Sequence, residues 1–484
     1  MSNLSELLPT GGGQNAVDFV ASGTLSSGQP VVLNANGTVG GLSSTTSGSG
    51  SVTEYYSTIG YERGITYDSA NNVVVTCFRN SVFSDRGGAF VGTVSSATPT
   101  SISWGSEVVY DSSYCESQDI TYDANTGKVV IAYRNQSQSN YLYAVVGTVS
   151  GTSLTFGTPV QVVAEAAANV CITYDSTAQK VVIIYRGGSG GYGTSIVGTV
   201  SGTSISFGTK VIFRSAFSYH IAVCYDSTSS KIIPFYTDNG NADYGTAIVG
   251  TVSGTSISFG TAVVYNSAFT AFVAASFDST TNKIILSYTN YGSGLGEAAV
   301  VIGTVSGTSI SFGSATYYNA PSRIEYKSVT YDPYSEQFII YYSEAYSGVH
   351  GKYLIGTVSG TTVSLGSSVQ FYGTEIQYIK SVLDTNLNTV VTVYLDRSAS
   401  NQDSILYHFG STNLADFIGI TAEAISDTAT GPVNVCGGIN EAQTGLTIGS
   451  DYYFQNDGSI STTSSAVKIG QAISATTINI MDLT

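Results

Sequence analysis

Three arginines recur at one position of a repeating unit: Arg79, Arg134 and Arg186 each lie eleven residues beyond an Asp that closes a short apolar strand. Planar guanidinium donors on three neighbouring units could together grip a carboxylate or sulfate. One residue further on, other units carry Asp238, Glu344 and Asp396, carboxylates of the kind that serve as a glycosidase pair or as cation ligands. The plainer reading of both sets is solvated side chains at strand ends. The same variable stretches hold Tyr141, Tyr192, Tyr219, His220, Tyr291 and Tyr346, which supply flat apolar faces with polar tips. These twelve residues are the candidate ligand-binding set; no catalytic group, metal site or cofactor site is expected. His220, His350 and His408 lack metal-ligand spacing, and no G-x-G-x-x-G or P-loop precedes a helical stretch.

The Asp that sets this numbering is the clearest periodic mark in the chain. ITYDS, ITYDA, ITYDS, VCYDS, ASFDS, VTYDP and SVLDT place it at Asp68, Asp123, Asp175, Asp226, Asp278, Asp332 and Asp384, 51 to 55 residues apart. Each unit reads as four short strands. For residues 123–162 these are DITYD, VVIAYR, LYAVVGTVS and TPVQVV, with the turn ANTGK and the hairpin GTSLTFG between them. Seven such units of near-constant length are the signature of propeller blades, so the fold class is all-β, a seven-bladed β-propeller.

Closure follows from a count. Six units end in an outer strand such as GSEVVY or GTKVIF, the seventh has none after SILYHFGS, and an unclaimed copy, GSVTEYYS (50–57), precedes the first unit. The N-terminal copy is therefore expected to complete the last blade and leave no open edge. The repeated Asp is read as an acceptor for turn amides rather than a catalytic acid. The aromatics ten residues past it (Phe78, Tyr133, Tyr185, Tyr236, Tyr288, Tyr342, Tyr394) are read as packing between blades.

Composition agrees with this class. Only 10% of the 484 residues are charged, 42% are hydrophobic, and 54 are Gly. A net charge of −16, with no basic cluster, argues against a nucleic-acid partner. No apolar run is long enough for membrane insertion, and MSNLSELLPTGGGQ lacks the features of a signal peptide, so a soluble chain is expected. The five cysteines are scattered singly and read as small core or loop residues.

Comparing the units with one another separates constant from variable segments. The turns after the anchor Asp and the V-S-G-T-S-I-S-F-G hairpins barely change. The second-to-third strand loops (RNSVFSDRGG to DRSASNQDS) and the connections between units (DSSYCESQD, RSAFSYH, NSAFTAF, NAPSRIEYK) change completely. In a propeller both variable sets emerge on one face, where loops on a rigid scaffold carry binding residues.

Three parts follow: an N-terminal β segment and linker (1–45), the propeller (48–412) and a C-terminal β module (413–484). LSSGQPVVLNANGTV (25–39) and LTIGSDYYFQNDGSI (446–460) align without gaps, each as a hairpin, so both chain ends are expected to build one small β module. The run FIGITAEAISDTATGPVNVCGG with KIGQAIS, and the opening LSELLPTGGGQNAVDFVASGTLSSGQPVVL, resemble phage virion structural proteins of the tail-fibre or capsid-surface type. The resemblance covers about 110 residues and implies an exterior virion appendage. It implies other virion proteins and a host cell-surface glycan or protein as partners, and a homo-oligomer, trimers being common among fibres. A non-enzymatic adhesin is the leading reading, with a capsid decoration or head fibre as the alternative. The rival is a sialidase-like glycoside hydrolase: SISWGS and SISFGT are similar to part of the sialidase turn motif but lack its Asp.

Overall fold

A computed structural model describes residues 15–34, 37–41, 48–57, 60–95, 101–294, 296–318, 324–344, 350–409, 417–454, 459–462 and 467–481. The chain divides into two compact units, one of residues 47–409 and one of residues 1–46 with 410–484. Regular structure is almost wholly β, with only single-turn 3-10 segments among the described residues.

The larger unit is the seven-bladed propeller. In blade 1, Gly60–Asp68 is innermost (strand a), followed outward by Val73–Asn80 (b) and Arg86–Val94 (c). The outer strand is split: Ile102–Trp104 covers one half of strand c and Val108–Asp111 the other. The segment read as a bare c-to-d hairpin is thus half of the outer strand in every complete blade, as with Ser153–Phe156 and Ser204–Phe207. Its tight turn is made by the Gly of S-G-T, left-handed at φ 59–61° in Gly151, Gly202, Gly254, Gly307 and Gly360. The Gly after S-F has a different duty. A Cβ on Gly157, Gly208 or Gly260 would drive into the Thr carbonyl of the next blade's S-G-T turn, so glycine lets neighbouring blades abut.

The seven strands a touch in sequence around the axis, and the last, Ile376–Asp384, returns to the first. Closure lies where the count put it. Thr53, Glu54 and Tyr56 pair with Ser404, Asp403 and Gln402 on the outer edge of blade 7. Gly48 and Ser49, just ahead of the surplus copy at 50–57, pair with His408 and Tyr407 and supply the other half of the split strand. A ring closed in this way gives every blade its outer strand and leaves only short, split edges facing outward.

Two sets of side chains hold the blades. Each anchor Asp accepts two backbone N–H groups of its own turn, for instance Thr228 N and Ser229 N at 3.0 Å from Asp226, and all seven do so. The aromatics ten residues on are fully buried against the preceding blade, most of them on another aromatic, as in Tyr110–Tyr133, Phe213–Tyr236 and Tyr265–Tyr288 at 5.2–5.4 Å, while Tyr185 donates to Glu165 at 2.9 Å. None of the five cysteines forms a disulfide; Cys77, Cys115, Cys171 and Cys224 are buried.

One expectation is corrected here. The connections RSAFSYH and NSAFTAF are not loops: Val160–Asp175, Val211–Asp226 and Val263–Asp278 are unbroken strands. Each runs from the outer edge of one blade into the innermost strand of the next. Their polar, small-residue composition hid this, because a strand whose backbone changes partners halfway shows no single alternation.

The smaller unit is a two-sheet module. Its first sheet orders Ala16–Val20, Thr430–Asn434, Phe417–Thr421, Pro30–Leu33 and Val39–Gly40, so two strands from the C-terminal end lie between strands from the N-terminal end. Its second orders Ile439–Asn440, Ile478–Ile480, Val467–Ala472, Asp451–Phe454 and Ile460–Ser461. The hairpins match residue for residue: Leu33↔Val39 corresponds to Phe454↔Ile460, the same offset as the gapless sequence alignment. Both sheets bulge at the same place, between Val31 and Val32 and between Tyr452 and Tyr453. In the second sheet the chain passes from Ser461 to Val467 directly. At the equivalent point of the first, between Gly40 and Phe417, the entire propeller is inserted. Val32, Phe417, Phe454, Ile469 and Ile478 pack the two sheets into one core.

Candidate functional site: the axial mouth and the aromatic platform

The b-to-c loops and the blade crossings emerge at one end of the sheets and hydrogen-bond to each other, as in Gln136 N to Tyr114 O and Ala167 N to Asn140 O. At this rim every strand a departs from regular pairing. A register shift falls six residues before the anchor Asp, and the residue there turns left-handed: Ser117, Asn169, His220, Phe272, Tyr326 and Tyr378, at φ 35–53°. Blade 1 shifts at the equivalent point, between Tyr61 and Arg63. Four of these six, Ser117, Phe272, Tyr326 and Tyr378, are residue types for which the left-handed region is costly, and strain repeated around one opening is a mark of a functional rim.

The bulges aim side chains at the axis. Tyr61, Tyr378, Tyr326, Phe272 and His220 form an unbroken arc of rings, each 4.9–6.0 Å from the next. From His220 the aromatics lead outward through Tyr219 to Phe217, and onward to Phe269, on which Tyr291 stacks at 5.0 Å. Phe217, Phe269 and Tyr192 keep 38–43% of their surface exposed, a large apolar area for a rim set in an acidic protein.

The three arginines part company. Arg79 is held by Glu116 at 2.9 Å, by the Tyr114 hydroxyl at 3.0 Å and by the face of Tyr61. Arg134 pairs with the other oxygen of Glu116. One carboxylate thus takes up two of the three cations. Arg186 has no carboxylate partner among the described residues; its guanidinium lies 4.6 Å above the ring of Phe217, on the platform. Burial and the nearby Arg134 depress its pKa.

The carboxylates at the next position serve their own loops. Asp238 accepts from Arg214 Nε at 2.8 Å and Gly240 N at 3.1 Å. Glu344 pairs with Lys352. Asp396 accepts from the Tyr372 hydroxyl at 2.7 Å and from Ser398 N at 2.8 Å, bonds that hold its carboxyl below the usual range although burial opposes them. They sit in three different blades. Tyr141, beside the second-blade loop, is half-buried, and Tyr346 lies outside the described residues. Of the sequence candidates, Arg186, Tyr192, Tyr219, His220 and Tyr291 come together. Burial, with Arg186 adding to it, lowers His220 to about 4, so the imidazole is neutral at neutral pH.

Sequence reasoning missed the interior. Behind the aromatic arc the axial channel opens into about 260 Å³ lined by Arg63, Gln118, Val170, Ile221, Lys327 and Lys380, among others. It continues past Asp119 toward the anchor-turn end. The available signal was the position five before each anchor: Val170, Ile221, Val273 and Ile379 are apolar, whereas Arg63, Gln118 and Lys327 are not. Among the described residues no three His, Cys, Asp or Glu are grouped to hold a metal.

No protein-family model matches the chain, and no curated protein matches it. Solved structures do. The β-propeller domain of Cps50 (Swd1) from Myceliophteria thermophila aligns at 6% identity over 75% of this chain and 99% of its own, with a TM-score of 0.49. A protein from Lactobacillus plantarum aligns at 11% over 75% and 97%, with a TM-score of 0.47. The leech intramolecular trans-sialidase, complexed with 2,7-anhydro-Neu5Ac, aligns at 11% over 75% and 68%, with a TM-score of 0.40. Likeness at these identities bears on the fold alone, and no residue role is carried across.

Proposed function

We propose that this protein is a non-enzymatic bacteriophage virion component, a tail-fibre or appendage adhesin, whose propeller binds a glycan of the host surface. The observation that carries the reading is the platform of Phe217, Tyr219, Phe269 and Tyr291 with Arg186 laid over Phe217. Exposed aromatic faces bury the C–H side of a sugar ring, and a guanidinium without a carboxylate partner offers forked donors to hydroxyls or an acid group. The strands behind it fix these groups in place, so little ordering entropy is lost on binding. The similarity of the chain ends to virion proteins supplies the setting, and the end module supplies a part that other virion proteins could hold.

The non-enzymatic reading is supported by Asp238, Glu344 and Asp396, which are occupied in separate loops rather than facing one another across a cleft. Binding of the full chain to a glycan array is the direct test. The Phe217→Ala/Phe269→Ala pair should lose at least tenfold in affinity, and Arg186→Ala should lose binding to acidic glycans first, both with unchanged melting. Undiminished binding by both variants overturns the site. Release of reducing sugars from host polysaccharide overturns the non-enzymatic reading, and labelling over the head rather than the tail favours a capsid decoration.

A further inference from the structure

The channel behind the aromatic arc contains a charge that the fold does not require. Lys327 is 7% exposed, and its ammonium makes one hydrogen bond, to Thr289 Oγ1 at 2.7 Å; no ion pair engages it among the described residues. An ammonium has three donors, and burying one with a single neutral partner is expensive. The equivalent residue is Val170, Ile221, Val273 or Ile379 in four other blades, so an aliphatic side chain builds this part of a blade as well.

Its neighbours do not neutralise it. Lys380, on the adjacent blade, answers to Asp119, whose charge is what raises the lysine's pKa. Arg63 donates to the Gly60 carbonyl at 2.8 Å and leaves its Nε without a partner. Among the described residues, three cations and one carboxylate therefore line the channel of a protein whose net charge is −16. Burial pushes Lys327 well below its ordinary value, so the site gains most when an anion arrives to hold the proton in place.

We propose that the axial cavity is an anion site in which Lys327 Nζ, oriented by Thr289, binds a carboxylate that enters past Tyr326, Tyr378 and Phe272. About 260 Å³ admits a small acid or one acidic sugar unit, not a chain. A sugar acid would also lay its ring on the aromatic arc, whereas a simple carboxylate would use the cation alone. The site is separate from the platform and does not depend on the adhesin reading.

Calorimetric titration of the full chain with sodium glucuronate, sodium acetate and glucose tests this. Wild type should take up glucuronate at one site, acetate more weakly at the same site, and glucose not at all. Lys327→Val, which copies blade 5, should weaken glucuronate at least tenfold, with Lys327→Met as the second variant should the first fail to fold. Phe217→Ala/Phe269→Ala should leave glucuronate uptake unchanged. Equal glucuronate and glucose binding, full affinity in either Lys327 variant, or no uptake by wild type overturns the proposal. A chain that binds glucuronate but no array glycan would instead refute the adhesin reading alone.

Discussion

The two rims of the propeller are made from the same seven strands and obey opposite rules. At the anchor-turn rim all seven Asp side chains do one job, each closing its turn with two amide bonds. At the other rim the same strands bulge and turn left-handed, and the residue shown there differs from blade to blade. Identity at one end builds the ring; difference at the other gives it something to recognise. Strain is tolerated at the second rim because the first is so fully satisfied.

The comparison breaks most visibly at the anchor turns. Asp226→Ala leaves Thr228 N and Ser229 N without their acceptor and should cost about 3 kcal/mol in denaturant unfolding, with glycan and glucuronate binding unaltered. A loss of binding as large as the loss of stability would mean that the rims are not independent.

His220 sharpens the contrast through pH. Its folded value of about 4 lies below the unfolded imidazole's, near 6.5, so the unfolded chain binds the extra proton between them. The residue's contribution is therefore complete above the unfolded value and lost as pH falls toward about 4, amounting to about 2 kcal/mol after solvent screening. His220→Gln should remove that slope, seen as the difference between the two unfolding profiles. A constant difference from pH 7 to 4 would refute the burial of this ring.

The smallest effect has the most telling sign. At an ordinary strand position glycine is worse than alanine, yet at Phe272, with φ 48°, Phe272→Gly should be more stable than Phe272→Ala by about 1 kcal/mol. Thermal melting of the two variants decides it, and the reverse order would mean that the bulge relaxes on substitution.

Much of the architecture was legible because it repeats. The Asp spacing gave the blade number, and the surplus copy at 50–57 gave the closure, since both rest on internal comparison rather than on propensity. The blade crossings were misread as loops for want of alternation. The axial mouth was hidden for a different reason: a left-handed bulge has no residue signature when Tyr326, Phe272 and His220 occupy it as readily as Asn169. Arg79 and Arg134 looked free because Glu116, which takes both, belongs to a connection whose path the sequence does not disclose. The hairpin alignment of the end module and its assembly from both chain ends were read from the sequence; the order of its strands and the bulge common to both sheets were not.

The propeller's insertion sets an order on biosynthesis. Ala16–Val20 and Pro30–Leu33 leave the ribosome before the propeller, and their partners Phe417–Thr421 and Thr430–Asn434 leave after it. These strands must therefore wait, unpaired, while seven blades are made, and the edge strand of residues 48–56, translated before blade 1, must wait for blade 7. A chain truncated anywhere before residue 434 can complete neither sheet of the module, so an assembled module would report that all seven blades have been made.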